Sequence, residues 1–518
     1  CCAMPSPTNT DMQLRLCALV CAVLLSVALC SLQCSPDGHG AWEDTAMAMS
    51  FSTTAISKAA VQAIPMLCDA ITQVQLDDIN TVMNLIIAKV DLSLTEIDGE
   101  FATVENVGFS TIPSEDAVQL VIDDISMRFS FNWSYEQEEW PYTHDHGTGT
   151  LDIAGTSYTT ALQSYMDEEC GVPQFECLKY TMDLGKVTIN LDGGASALYQ
   201  MVIDTLINLV ESLFEDTLED MLQEVAMDSI NHAFMHTDYL YHMVDSPALS
   251  LDERFTNKFA IYEDWLQVTL TGYFYPESVG HLWNGRTLPA GPLPGKRTNA
   301  DIQIFCGRSL HQSAFEAHQY EEDYVCPIDY SDASPYTQSI LTTAALGSVA
   351  PGLYQQYPDQ SLSVTYTSTE TPQLTYMPSG ALVSFTGRLD FYVAETAVGT
   401  PVMSLETTFG FSAIPGIDPI DQDDNTPKIL FNWAALQMYT VTPPTLITST
   451  VGDVNTASPM FMQWQSLLGI YAVAPWMLTT MNHEAPRMNT IPDLNYDEAE
   501  FAFDPEYLSW YLPLQYLN

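Results

Sequence analysis

Ten histidines and 66 carboxylates lie among 518 residues, so spacing rather than composition must distinguish a metal or acid–base centre from a solvated surface. His144-Asp145-His146 has the residue types of a metal-binding tripeptide. Successive residues of a strand point to opposite faces, however, and a polar hairpin tip is the plainer reading. His232 and His236 stand four apart, which can place two imidazoles on one helix face. A helix C-terminus also attracts imidazoles by capping and by its dipole. Asp421-Gln422-Asp423-Asp424-Asn425 offers hard oxygens but lacks the alternating ligands, glycine and terminal glutamate of a calcium loop, so it reads as a solvated turn. The chain has no Gly-X-Ser-X-Gly elbow, no His-Glu-X-X-His and no Gly-Lys-Ser/Thr phosphate cradle. It is expected to be no enzyme, with no catalytic residue, no metal and no cofactor.

The elements around these residues contain 47% hydrophobic and 11% aromatic residues, enough to bury a core. The length suits two or more domains. Charged residues are sparse at 16%, yet the net charge is −51. Such a surface repels nucleic acid and anionic head groups, and it keeps the protein soluble.

From Met12 the chain reads MQLRLCALVCAVLLSVALC, with Arg15 before an apolar run from Leu16 to Leu29. The run is short for a membrane span and has the layout of a signal peptide over 12–30, cleaved after Cys30. Residues 1–11, without an initiator Met at position 1, read as an upstream segment. The protein is therefore expected outside the cell. Six cysteines follow the leader: Cys34, Cys68, Cys170, Cys177, Cys306 and Cys326. An even set in a secreted chain suggests disulfides, with Cys170–Cys177 closing a small loop, Cys306–Cys326 a larger one and Cys34–Cys68 remaining. Asn132-Trp133-Ser134 is the one Asn-X-Ser/Thr sequon and makes Asn132 the glycosylation candidate, within a strand-like run.

Residues 50–73 carry Phe51, Ile56, Ala59, Val61, Ala63, Ile64 and Leu67 at helical spacing, and Pro65 should bend or divide that helix. AVQLVIDDISMRFSFNWSYE, GTGTLDIAGTSYTTAL and LGKVTINLDGG alternate as strands do, with glycine-rich punctuation. A long amphipathic helix is expected from Ala197 to Met227, its stripe running through Leu198, Val202, Leu206, Leu209, Leu213 and Leu218 behind Ser196 as N-cap. The second half repeats the scheme. Strands are expected over 265–275 and 301–305, a helical piece over 339–355, four strand-like stretches after it, and a last amphipathic helix from about Pro459 to Met481. The stretch Val454–Asn482 is free of charge, but its two prolines and its glutamines make it a poor membrane span. Two similar α+β domains follow, joined near 240–270.

The ordered series resembles the family of the bactericidal/permeability-increasing, lipopolysaccharide-binding and cholesteryl ester transfer proteins. ISKAAVQAIPMLCDAITQVQLDDI resembles its first helix, FSFNWSYE its strand into the tip hairpin, and Leu191-Asp192-Gly193-Gly194 its strand–turn–helix. LQVTLTGYFYPE, with Gly272, Phe274 and Tyr275, is similar to its crossover into a second barrel. ILTTAALGSVAPGLYQQYP, TPQLTYMPSGALVSF and Ile491-Pro492-Asp493-Leu494 also match, so the likeness covers about 42–515.

The resemblance implies an α+β boomerang of two barrels, each a twisted antiparallel sheet wrapped around a long helix, joined by a central sheet. It divides the chain into an N-terminal lipid-binding barrel over 42–245, a central sheet and linker over 246–270, and a C-terminal barrel over 271–515. It also implies a phospholipid or similar two-chain lipid as partner, each buried CH₂ contributing about 0.8 kcal/mol. The pocket candidates are Ile56, Ala59, Ala63, Val202, Leu206, Leu209 and Leu213 in the first barrel, and Trp464, Leu467, Leu468 and Tyr471 in the second. Trp133 and Trp140 are candidates for transient contact with a membrane surface. A monomer or weak dimer is expected, with no nucleic-acid partner. Endotoxin-binding members carry Lys and Arg in the hairpin that here reads Glu136-Gln137-Glu138-Glu139-Trp140, followed by Asp145. That reversal favours lipid binding or transfer over the alternative, an innate-defence protein binding lipopolysaccharide. The family's bridge into the long helix also has no counterpart, because Leu218–Asn231 lacks cysteine.

Overall fold

The alternating stretches form long antiparallel strands that curl over short helices. The computed structural model describes residues 44–512, apart from 138–141, 168–170, 193–206, 208–230, 394–398, 421–427, 484–486, 490–498 and shorter gaps. The chain divides into two compact units: residues 50–237 with 257–268, and residues 42–49 and 238–256 with 269–518.

In the first unit, β1 (Met47–Ser52) leads into α1 (Thr53–Gln62) and α2 (Ile64–Thr72). Ser52 Oγ caps α1 by accepting the Ala55 N–H at 3.0 Å. Residues 53–62 and 64–72 are helical as expected, with Pro65 near the start of the second stretch, and Ala63 between them lies outside the described residues. The sheet contains β2 (Gln75–Leu76), β3 (Ile79–Leu85), β4 (Ala88–Ile112), β5 (Ala117–Gln137), β6 (His144–Met166), β7 (Pro173–Asp183) and β8 (Lys186–Asp192). Its order is β2-β4-β5-β6-β7, with β3 also on β4 and β8 also on β6. The helices lie on β4: Phe109 N–H donates to Ser57 Oγ at 3.0 Å, and a Cβ on Gly99 would stand 2.6 Å from the Thr72 carbonyl oxygen.

Bulges bend this sheet. Register shifts on β4 between Thr95 and Asp98, and on β5 between Ile122 and Ile125, where Asp124 has φ 56°. On β6 the facing irregularity contains Gly155, with φ 76°. Neighbouring bulges increase local twist, which lets long strands curl instead of lying flat. A hairpin of β11 (Ala260–Ile261) and β12 (Trp265–Leu270) follows, and before it Phe259 packs on Phe175 and Phe234 at 5.2 and 5.4 Å between ring centroids.

In the second unit, β9 (Leu240–Asp245), β10 (Ala248–Asp252) and β13 (Tyr273–Pro276) form a three-stranded sheet. The expected strand over 265–275 is interrupted at Gly272, whose φ of 64° turns the chain and where a Cβ would meet Met47 at 2.7 Å. β14 (Ile302–Gly307) pairs with β24 (Tyr507–Leu512), which pairs with β23 (Glu500–Phe503). The larger sheet comprises β15 (Val325–Ile328), β16 (Leu362–Ser368), β17 (Gln373–Met377), β18 (Gly380–Val393), β19 (Met403–Ile420), β20 (Lys428–Val441), β21 (Thr445–Ser449) and β22 (Arg487–Asn489).

Sequence periodicity missed α3 (Arg308–Glu321), because it buries Ser309, Gln312, Ser313 and Glu316 beside Leu310 and Phe315. The helical piece over 339–355 is three short helices, α4 (Pro335–Ile340), α5 (Thr343–Leu346) and α6 (Pro351–Gln356). Thr342 restarts the chain between the first two by capping Ala345 N–H at 3.1 Å, and prolines open α4 and α6. The last helix is present as α7 (Pro459–Leu468), a π turn over Gly469–Val473 and α8 (Ala474–His483).

The expected Cys306–Cys326 bridge is not formed. Cys306 on β14 faces Leu508 and Cys326 on β15 faces Tyr366, in different sheets, and both are buried free thiols. Burial raises each thiol to about 12, which keeps it protonated. Cys68 and Cys177 are also free, the latter 3.4 Å from Thr160 Oγ1. Their expected partners Cys34 and Cys170 lie outside the described residues, as do Ala63, Trp140, Val202, Leu206, Leu209, Leu213, His232, His236 and the 421–425 turn.

Candidate functional site

Each large sheet presents one apolar face, built by period-two alternation. In the first unit Leu94, Phe129, Phe131, Trp133, Leu151 and Ile153 are all at most 5% exposed. Register stacks them in rows, Leu94–Trp133–Gly147 and Phe129–Leu151 among them. Glycines make room for the rings: a Cβ on Gly147 would stand 3.0 Å from Trp133 Nε1, and one on Gly149 2.6 Å from Phe131. The Trp133 indole N–H donates to the Thr148 carbonyl at 3.0 Å, and its ring stacks with Tyr135. This corrects the membrane-contact reading of Trp133, because alternation along β5 turns it into the buried face. Ile56 is buried at 3% on α1, the helix that also carries Ala59. Asn132 lies on the opposite face of β5, its amide donating to Glu96 Oε2 at 2.6 Å.

The hairpin end of this sheet holds an open groove of about 950 Å³, lined by residues 80–82, 91–93, 134–136 and 144–146. Exposed Val82, Asp91, Glu136 and His144 form one register row, with Asn80, Ser93, Ser134 and His146 two residues along. Asp145 falls in the intervening row beside Tyr135, so the tripeptide diverges as strand geometry requires. Among the described residues no three His, Cys, Asp or Glu side chains come together to hold a metal.

In the second unit the apolar face is contributed by β16, β18 and β19, including Val364, Phe385, Leu389, Phe391, Leu405 and Phe409, each fully buried. α7 and its continuation cover it. Trp464 packs on Phe391 and Phe461, with ring centroids 5.4 and 5.5 Å away, and its N–H donates to the Ile340 carbonyl at 2.7 Å. Leu468 is fully buried, and Leu467 is half-buried. Tyr471, expected in the pocket, is 45% exposed and stacks on Tyr336; it lies in the π turn over Gly469–Val473, whose wider winding takes it out of the phase that an α-helix would keep with Trp464 seven residues before.

Sequence reading missed two polar groups on this covered face. Gln465 is fully buried, and its amide N–H₂ donates to Thr407 Oγ1 and, at 3.2 Å, to the Thr442 carbonyl. Tyr366 is also fully buried, and burial raises its phenol far above the usual value. The only signals available to sequence reading were a Gln within an apolar helical run and a Tyr within an alternating strand.

Three comparisons bear on this arrangement. The model of the LBP/BPI/CETP family C-terminal domain matches residues 249–416. A BPI/LBP family protein of Arabidopsis thaliana is 24% identical over 265 residues, 50% of this chain and 52% of that protein, so the match spans about half the relative's length. The crystal structure of lipopolysaccharide binding protein superposes with a TM-score of 0.51 at 15% identity, covering 92% of this chain and 100% of that one, and shows the fold. The strand-rich α+β architecture, the crossover into Gly272–Tyr275 and the matched domain converge: residues 249–416 match the C-terminal domain of the LBP/BPI/CETP family, and the chain is similar in fold to lipopolysaccharide binding protein.

Proposed function

We propose that this protein is an extracellular, non-enzymatic lipid carrier that holds the acyl chains of a two-chain lipid, a phospholipid first among them, against the curled face of each sheet. The observation that supports this most is chemical. Among the described residues no charged side chain belongs to the buried row Val364–Tyr366–Ser368, to Phe385–Gly387–Leu389–Phe391, or to the buried positions of α7. In the first unit the corresponding rows of β5 and β6 are equally free of charge. Such a surface takes hydrocarbon and rejects a head group, which would remain at the rim. Ile56, Trp464, Leu467 and Leu468 are the described pocket candidates under this reading. Secretion is the companion proposal: the leader favours it, and among the described residues no helix is long and apolar enough to cross a membrane.

The exposed row of Asp91, Glu136 and His144 speaks against lipopolysaccharide as the preferred ligand, since its phosphates would approach carboxylates. Native mass spectrometry of the secreted protein, with lipid analysis of its organic extract, tests the proposal. One or two phospholipids per chain is the expected result. A lipid-free protein that also takes nothing from phosphatidylcholine vesicles would overturn it.

A further inference from the structure

Among the described residues, two polar atoms on the covered face of the second unit have no hydrogen-bond partner: Gln465 Oε1 and the Tyr366 hydroxyl. They belong to one neighbourhood. A Cβ on Gly387 would stand 2.6 Å from Tyr366 Cζ, so the phenol end of the ring lies over that glycine. Gly387 pairs directly with Thr407, and Thr407 Oγ1 accepts from Gln465 Nε2. The amide orientation of Gln465 is set by the Thr442 carbonyl, which needs a donor, so Oε1 is the atom left over.

An unpaired buried polar group carries its full desolvation cost, and natural cores rarely keep two together without use. Replacing either by a hydrocarbon side chain would remove that cost without disturbing the alternation of β16 or the stripe of α7. The two groups are chemically complementary to one ligand function: Gln465 Oε1 accepts a hydrogen bond, and a phenol donates one or accepts one. A single hydroxyl can donate to the first and accept from the second. A phosphate cannot be the match, because the buried residues of β16, β18 and α7 around the pair carry no cation to offset its charge.

We infer that Gln465 and Tyr366 form a polar anchor between helix and sheet that selects an uncharged, hydroxyl-bearing lipid for the second unit. The inference rests on the lipid-carrier reading and narrows it to a substrate class. Entry parts α7 from the sheet. The π turn over Gly469–Val473 packs closely on Met438, which a Cβ on Gly469 would strike at 1.8 Å, and thioether side chains repack at low cost.

The test uses the full chain, freed of lipid and incubated with phosphatidylcholine vesicles. The vesicles contain equal amounts of 1,2-dioleoylglycerol and its 3-O-methyl ether, which has the same chains but no hydroxyl. Bound lipid is measured by mass spectrometry after re-isolation. The expected result is a preference of about threefold to tenfold for the free hydroxyl. Gln465→Leu and Tyr366→Phe should each reduce that preference toward one, and thermal unfolding of the lipid-free variants reports that they fold. Equal uptake of the two guests, with phosphatidylcholine still captured, overturns the anchor and leaves the carrier reading standing. A preference that survives in both variants also overturns it. Uptake of no lipid at all overturns both.

Discussion

Arg254 is 1% exposed, and its guanidinium is held by Asp252, Nε to Oδ1 at 2.9 Å and Nη2 to Oδ2 at 2.6 Å. Arg254→Met keeps much of the volume but leaves a buried carboxylate without its cation. Urea unfolding should show a loss of about 3–5 kcal/mol, and a loss below about 1 kcal/mol would show that the pair is not the pin it looks like. A second residue-scale effect is set by pH. Burial lowers the His311 imidazole to about 4, and neutral Nδ1 accepts the Tyr376 hydroxyl at 2.6 Å. The unfolded chain takes up this proton near 6.5, while the folded chain resists until about 4. Stability from the neutral ring is therefore complete above about 6.5 and lost as pH falls toward 4. The loss is about 2 kcal/mol, allowing for the part of the side chain that reaches solvent. Unfolding midpoints at pH 7 and pH 4.5 should converge in His311→Gln relative to the parent.

At the scale of elements, the two sides of the last helix should behave differently. Trp464 fills space between Phe391 and Phe461, whereas Tyr471, seven residues on and within the π turn, contacts Tyr336 at the surface. Trp464→Ala should cost about 3–5 kcal/mol in the lipid-free protein. Tyr471→Ala should cost less than about 1 kcal/mol. Thermal unfolding of the two variants decides the matter, and similar costs would mean that the helix is not seated as described. The curl of the first sheet depends on elements in the same way. The irregularities at Asp124 and Gly155 face each other across β5 and β6, so the bend is shared between strands instead of being a defect in one.

For the whole molecule the governing quantity is a net charge of −51. It repels anionic surfaces over about 10 Å at 0.1 M salt and much less at 1 M. Lipid capture should therefore be slower from vesicles rich in phosphatidylserine than from phosphatidylcholine vesicles at low salt, and the gap should close as salt rises. A stopped-flow uptake assay measures this, and a faster rate from the anionic vesicles would reveal a local basic contact that overrides the total charge.

Local chemistry was legible along the chain. Helical spacing gave the stretches 53–62 and 64–72, period-two runs became β5, β6 and β18, and the last helix opens at Pro459, because prolines and alternation act within a few residues. The resemblance to the LBP/BPI/CETP family too was written in the order of the segments. Side-chain destinations were less legible. Trp133 reads as a tip aromatic until register places it opposite Gly147, on the buried face. Cys306 and Cys326 read as a pair until strand pairing puts them in different sheets. α3 was hidden because its buried side is half polar, with Gln312 serving Leu374 N–H and the Pro372 carbonyl, residues some 60 positions away. Alternation and capping are local and belong to the sequence alone. Which strand lies beside which, and so whether Gln465 meets Thr407 or a phenol ends over Gly387, is set by contacts between residues distant in the chain, and only the tertiary structure decides it.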